Sequence, residues 1–286
     1  MTGPFNRRAT DLKPRRQRKG MYLLPSAFTM ANLGAGFYAV LQAVQGNASE
    51  PHHFNFASIA IGLAVLFDGL DGTIARLTNT SSDFGKELDS LADVVTFGVA
   101  PAALAYFWGF HQLPADLNPD VRHNLLQFGA IVCFLFLAAG ASRLARFNIT
   151  LDPKPKNPGR PGRKYFVGMP IPAGAGCIAA TVHFALGTPI TTWWLAPVWM
   201  VFVFVLGFLM VSTWRFWSPK SVDFRSRHPF RLILIMGLLF ALIWNWSRYV
   251  LIALALVYLF SGILARLAYA VNHGAEPPAP AEPSQS

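Results

Sequence analysis

Charge is scarce in this chain. Only 13% of its 286 residues are Asp, Glu, Lys or Arg, against about a quarter in a typical soluble domain. Hydrophobic residues make up 53%, and they run in long blocks rather than alternating patterns. Together these features exclude an ordinary water-soluble core and point to a polytopic membrane protein. Cysteine is scarcer still. Cys133 and Cys177 are the only two, both in apolar blocks, which excludes a disulfide framework and a thiolate metal centre. They read as small buried hydrophobes. No stretch has the composition of a soluble domain, and no internal repeat is evident. The start of the chain does not read as a signal peptide: its basic region and the apolar segment after it are both too long.

What is present is a set of eight apolar segments, near 22–44, 54–67, 90–110, 125–147, 169–187, 193–213, 231–246 and 249–267. Each approaches the roughly 20 residues a spanning helix needs. The second is short and must extend through DGLDGTIAR, which makes one end of that helix polar. Charge placement supports the count. Of 24 Lys and Arg, only Arg122 and Arg248 fall in loops on one side; the others lie on the opposite side or at its boundary. This positive-inside pattern predicts an all-α membrane bundle of about eight helices in the cytoplasmic membrane, with both termini cytoplasmic. Residues 1–21 form a basic tail suited to a solvated state or an anionic lipid surface, not to nucleic acid. Residues 22–268 form the membrane domain, and the Pro- and Ala-rich 269–286 reads as disordered. His52 and His53 fall in the first outer loop and read as solvated.

Acids are few, 14 in all, yet five Asp and one Glu crowd into FDGLDGTIARLTNTSSDFGKELDSLAD at 67–93. A carboxylate at membrane depth is costly and rarely idle. Asp68 and Asp71 are three apart and share a helix face; Asp89 and Asp93 are four apart and share one on the next helix. A short turn through NTSSD, with Ser81, Ser82 or Asp83 as cap, brings the four to one point at the cytoplasmic rim. Asp83 and Glu87 read as loop and surface charges. Four clustered carboxylates repel and require a cation, and hard Mg²⁺ or Mn²⁺ suits oxygen ligands. Gly72, Ala75 and Gly85 keep the helix faces open, for a ligand or for close packing. Arg76 lies a turn beyond, suited to phosphate or to the interface. Arg143 and Arg146 end the fourth segment near the same rim, with Asn148 just beyond; they suit a carboxylate or phosphate, or serve as interfacial charges. Pro170 and Pro172 break or bend the entry of the fifth helix.

Asp68-x-x-Asp71-Gly72-x-x-Ala75-Arg76, eight residues, then Gly85-x-x-x-Asp89-x-x-x-Asp93 resembles the signature of the CDP-alcohol phosphatidyltransferases at every defined position. LPSAFTMANLGAGFYAV, SRLARFNI, YFVGMPIPAGAG and LMVSTWRF resemble the serine-using branch of that family. The likeness covers about 22–265, with Ser26 standing where similar proteins often have Asn. It implies an integral membrane transferase that displaces CMP from CDP-diacylglycerol, with L-serine as acceptor. Asp68, Asp71 and Asp89 would ligate Mg²⁺ or Mn²⁺ on the diphosphate. Asp93 would join the metal site and act as general base. Gly72, Thr73, Ala75, Arg76, Gly85 and Thr29 would shape the CDP pocket, and Arg143, Arg146 and Asn148 would hold serine or phosphate. The resemblance also implies a homodimer, with the active site facing the cytoplasm. Two alternatives stand beside it: the same chemistry on choline, glycerol phosphate or inositol phosphate, and a cation transporter, whose site would lie nearer the midplane.

Overall fold

A computed structural model describes residues 23–78, 83–149, 165–217 and 229–273. Helices α1 (Leu23–Gln45), α2 (His52–Thr78) and α3 (Asp83–Asp93) come first, followed by a π turn (Val94–Val99) that leads into α4 (Ala100–Gly109). Then come α5 (Pro119–Asn148), strand β1 (Tyr165–Val167), α6 (Ile171–Phe184), α7 (Leu195–Val211), strand β2 (Arg215–Trp217) and α8 (Pro229–His273). Among the described residues, four helical stretches are long and apolar enough to cross a membrane by length and composition: Ala27–Gln45, Phe84–Gly109, Pro119–Asn148 and Gly237–Ala268.

The helices meet through small residues, as membrane helices do when no hydrophobic drive separates lipid from protein. Gly36, Ala39 and Ala43 form the buried stripe of α1, and Ala57, Ala60 and Ala64 that of α2; the two helices pack along most of their length. Larger side chains fill the centre. Trp108 of α4 meets Trp199 of α7 edge-on at 4.9 Å, and Trp199 Nε1 donates to the Ala105 carbonyl at 3.0 Å. Phe54, Phe97, Phe110 and Phe136 are fully buried. The outside is apolar instead of polar: Phe37, Phe134, Val201 and Trp244 are among many large apolar side chains left exposed. Such a surface fits lipid, not water. Cys133 and Cys177 are buried and unpaired, as expected.

Polar contacts sort to two ends of the bundle. At one lie Asn32 against Asp93 and Asn148 against Ser90, together with the β1–β2 pair. At the other lie His53 against Gln42, and His183 between Asn55 and Ser247. The acids thus share an end with Arg143, Arg146 and Arg215.

Several boundaries differ from expectation. α2 runs through the DGLDGTIAR residues to Thr78, as its short apolar run requires. α5 begins at Pro119 rather than near 125, because Asn118 caps it: Asn118 Oδ1 accepts from the amides of Asp120 (2.9 Å) and Val121 (3.4 Å). The polar PDVRHN stretch is therefore a first helical turn and more, not a loop. His52 and His53 open α2 instead of lying in a loop, and His53 Nδ1 is 2.7 Å from Gln42 Oε1. The last two apolar segments are one helix, α8, interrupted at Trp246, whose φ and ψ of −134° and 43° are not helical. Helical backbone continues to His273, past the expected domain end at 268. The tails 1–21 and 274–286 lie outside the described residues, as do Ser81 and Ser82.

The all-α expectation is corrected in one place. Antiparallel β1 and β2 pair Tyr165 with Trp217, Phe166 with Phe216 and Val167 with Arg215. Three-residue strands are too short to show a period of two in sequence. Just after β1, Gly168 takes φ +75°, and its amide donates to the Trp214 carbonyl at 2.8 Å. A Cβ there would lie 2.5 Å from the Met210 carbonyl oxygen. Gly168→Val should lower the thermal midpoint of the detergent-purified protein, through a strain of about 1–3 kcal/mol. Gly62→Ala, placed where nothing lies within 4 Å, should leave the midpoint unchanged. Equal midpoints for both variants would contradict this account. Pro170 and Pro172 start α6 rather than bend it: Pro170 is the N-cap and Pro172 lies in the first turn, where a missing amide hydrogen costs nothing.

Candidate active site

Asp68 projects from α2, and Asp89 and Asp93 from α3. One carboxylate oxygen of each lies within 4.8 Å of the other two. Asp68 and Asp89 are half-buried and Asp93 is buried. The spacing of four on α3 and the α2–α3 corner produce this convergence, as the motif requires. At an effective dielectric of about 20, two like charges at that separation repel by about 3.5 kcal/mol. Three ionised groups so placed are suited to a divalent hard cation, and oxygen-only donors favour Mg²⁺ or Mn²⁺ over softer metals.

α1 backs this cluster. Asn32 Nδ2 donates to Asp93 Oδ1 at 3.4 Å, and Thr96 Oγ1 of the π turn donates to the Asn32 carbonyl at 3.0 Å. Thr29, one turn earlier on α1, is buried on the same face. Thr29 was among the residues the resemblance implied; Asn32 and Thr96 were not named from the sequence. Their signal was present, since a polar side chain inside an apolar run is itself conspicuous. The π turn after Asp93 has no sequence signature, although such turns gather at functional sites.

The remaining motif residues divide. Asp71, Gly72, Thr73, Ala75 and Arg76 lie on the backbone of α2 beyond Asp68, but their side chains fall outside the described residues. Gly85 occupies the first turn of α3, half-buried, and Glu87 is exposed. Asn148 does reach the cluster's flank: its Nδ2 donates to Ser90 Oγ at 2.8 Å, next to Asp89 in sequence, while Ser90 Oγ donates to the Lys86 carbonyl at 2.9 Å. Arg143 is buried, with its guanidinium carbon 5.9 Å from the Phe166 ring centroid of β1. Arg146 Nη2 donates to the Val211 carbonyl of α7 at 3.4 Å. Arg143 thus lies against β1, and half-buried Arg146 reaches α7.

An apolar-surfaced helical bundle with three carboxylates meeting at one end defines a membrane protein with a cluster able to hold a metal ion. The comparisons narrow this class. The profile of the CDP-alcohol phosphatidyltransferase family matches residues 22–196, and the chain belongs to that family. A Helicobacter pylori CDP-diacylglycerol–serine O-phosphatidyltransferase is 34% identical over 229 residues, covering 77% of this chain and 82% of the relative. Proteins with the same description from Saccharomyces cerevisiae and Methanocaldococcus jannaschii are 41% identical over 145 and 147 residues. These alignments cover 50% and 51% of this chain, and 48% and 54% of the relatives.

Proposed function

We propose that the protein transfers the phosphatidyl group of CDP-diacylglycerol to the hydroxyl of L-serine, giving phosphatidylserine and CMP. One observation carries the reading. Asp68, Asp89 and Asp93, at the spacing of the family motif, converge within 4.8 Å, in a chain 34% identical over 229 residues to a relative described by that reaction. Asp68, Asp71, Asp89 and Asp93 would hold a divalent cation, which would supply charge neutralisation at the diphosphate and so a better leaving group in CMP. Asp93 takes the proton from the serine hydroxyl. The serine oxygen forms a bond to the phosphorus bearing the diacylglycerol, and the bond from that phosphorus to the CMP oxygen breaks. Gly72, Thr73, Ala75, Arg76, Gly85 and Thr29 shape the CDP pocket. Arg143, Arg146 and Asn148 hold the serine carboxylate or the lipid phosphate; the link from Asn148 to Ser90, beside Asp89, supports that placement.

The chain is read as crossing the cytoplasmic membrane eight times, with the acid end and both termini inside. The break at Trp246 falls at the junction of the last two apolar segments of that count. The basic tail 1–21 lies against anionic lipid, and the protein functions as a homodimer.

Purified protein incubated with CDP-diacylglycerol and a panel of serine, choline, glycerol phosphate and inositol phosphate, with and without Mg²⁺ or Mn²⁺, tests the reading. CMP should appear with serine and metal only. CMP from another alcohol in place of serine would reassign the acceptor, and metal-coupled ion movement without CMP would overturn the transferase.

A further inference from the structure

Asn32 is 1% exposed on the buried face of α1, with Thr29 as its polar neighbour one turn earlier. Burying a primary amide costs free energy unless its groups are matched. Here they are matched only in part. Nδ2 donates to Asp93 Oδ1 at 3.4 Å, while Oδ1 is buried with no hydrogen-bond partner. The opposite rotamer would set the amide oxygen against a carboxylate, acceptor on acceptor, so the nitrogen faces Asp93. A buried amide facing a carboxylate calls for an explanation beyond packing.

A second contact holds the α1 backbone at this residue. Thr96 is fully buried in the π turn, three residues past Asp93, and its hydroxyl donates to the Asn32 main-chain carbonyl at 3.0 Å. This approach depends on Gly36, one turn along α1: a Cβ at Gly36 would lie 2.5 Å from Thr96 Oγ1 and 2.7 Å from Thr96 Cα. α1 thus holds Asp93 twice, through the Asn32 amide on its carboxylate and through Thr96 on the backbone that follows it. The π turn brings Thr96 onto α1 while Asp93 stays on the α3 face shared with Asp89.

We propose that Asn32, locked by Thr96 against Gly36, is a positioning residue that aims the Asp93 carboxylate into the metal-holding cluster. The inference deepens the reading above and rests on its assignment of a divalent cation to these acids. Partners that orient a metal's ligands commonly carry 10- to 100-fold in metal affinity or activity.

Mn²⁺ titration of the full-length protein in lipid nanodiscs, followed by the electron paramagnetic resonance of free Mn²⁺, tests it without turnover. Asn32→Leu, branched at the same carbon but without an amide, should weaken Mn²⁺ binding about 10- to 100-fold while the protein still folds. Thr96→Val should weaken it by about threefold or more, and Thr96→Ser, which restores the hydroxyl, should bind as wild type. In the CMP assay Asn32→Leu should lower kcat with the KM for the acceptor unchanged. Should Asn32→Leu fail to fold, Asn32→Ala and the Thr96 pair carry the same expectation. Wild-type affinity in a folded Asn32 variant, or equal losses for Thr96→Val and Thr96→Ser, would overturn the inference while leaving the metal site standing. A wild-type protein that binds Mn²⁺ but releases no CMP with serine would overturn the proposed reaction and not the role of Asn32. A wild type that binds no Mn²⁺ would overturn both.

Discussion

Asp93→Asn should fold and purify as the wild type, yet release CMP from CDP-diacylglycerol and serine about 10²- to 10⁴-fold more slowly. That range is the contribution of a positioned general base. The substitution keeps the side chain's shape and an oxygen that can still accept the Asn32 amide, so the contact between α1 and α3 is preserved. What disappears is the basicity and one negative charge. Asp93 is the most buried of the three converging carboxylates, at 9% exposure, so little water can reach that position to act as base in its place. The measurement is kcat for CMP release, alongside a thermal midpoint and Mn²⁺ affinity. A variant within threefold of wild type would remove Asp93 from the role of base.

Stripping divalent metal should be more severe. Chelation with EDTA should abolish CMP formation, and added Mn²⁺ or Mg²⁺ should restore it. Asp68→Ala and Asp89→Ala should each cost at least about 10³-fold, the several kcal/mol of charge stabilisation a metal supplies at a phosphoryl centre. Asp68 and Asp89 come from different helices, so losing either opens the cluster on one side. Glu87→Gln, on the same helix but exposed and outside the cluster, should retain wild-type rates. Full activity after chelation would overturn the reading of the acids as a metal site. Rates for Glu87→Gln as low as for Asp89→Ala would show that net charge, not placement, was being measured.

Much of this was legible before any fold was known. Charge scarcity and eight apolar blocks announced a membrane bundle, because bilayer thickness fixes helix length and lipid fixes composition. The acids announced themselves by contrast: in an apolar chain a carboxylate is conspicuous, and spacings of three and four put pairs on one helix face. The polar start of α5 was misread because Asp120, Arg122 and His123 look like loop until Asn118 is seen capping a helix. The strands at 165–167 and 215–217 were invisible because pairing depends on a partner some 50 residues away, not on local pattern.

The sequence by itself therefore determined the environment, the helical class and the pairing of Asp89 with Asp93 on one face, since all three follow from local composition and period. Only the tertiary structure decided which groups stand behind those carboxylates. Asn32 and Asp93 are 61 residues apart and Thr96 and Asn32 are 64 apart. No periodicity within one helix can report a contact made by another. Such contacts depend on how closely two backbones approach, and here that distance is set by the missing side chain of Gly36.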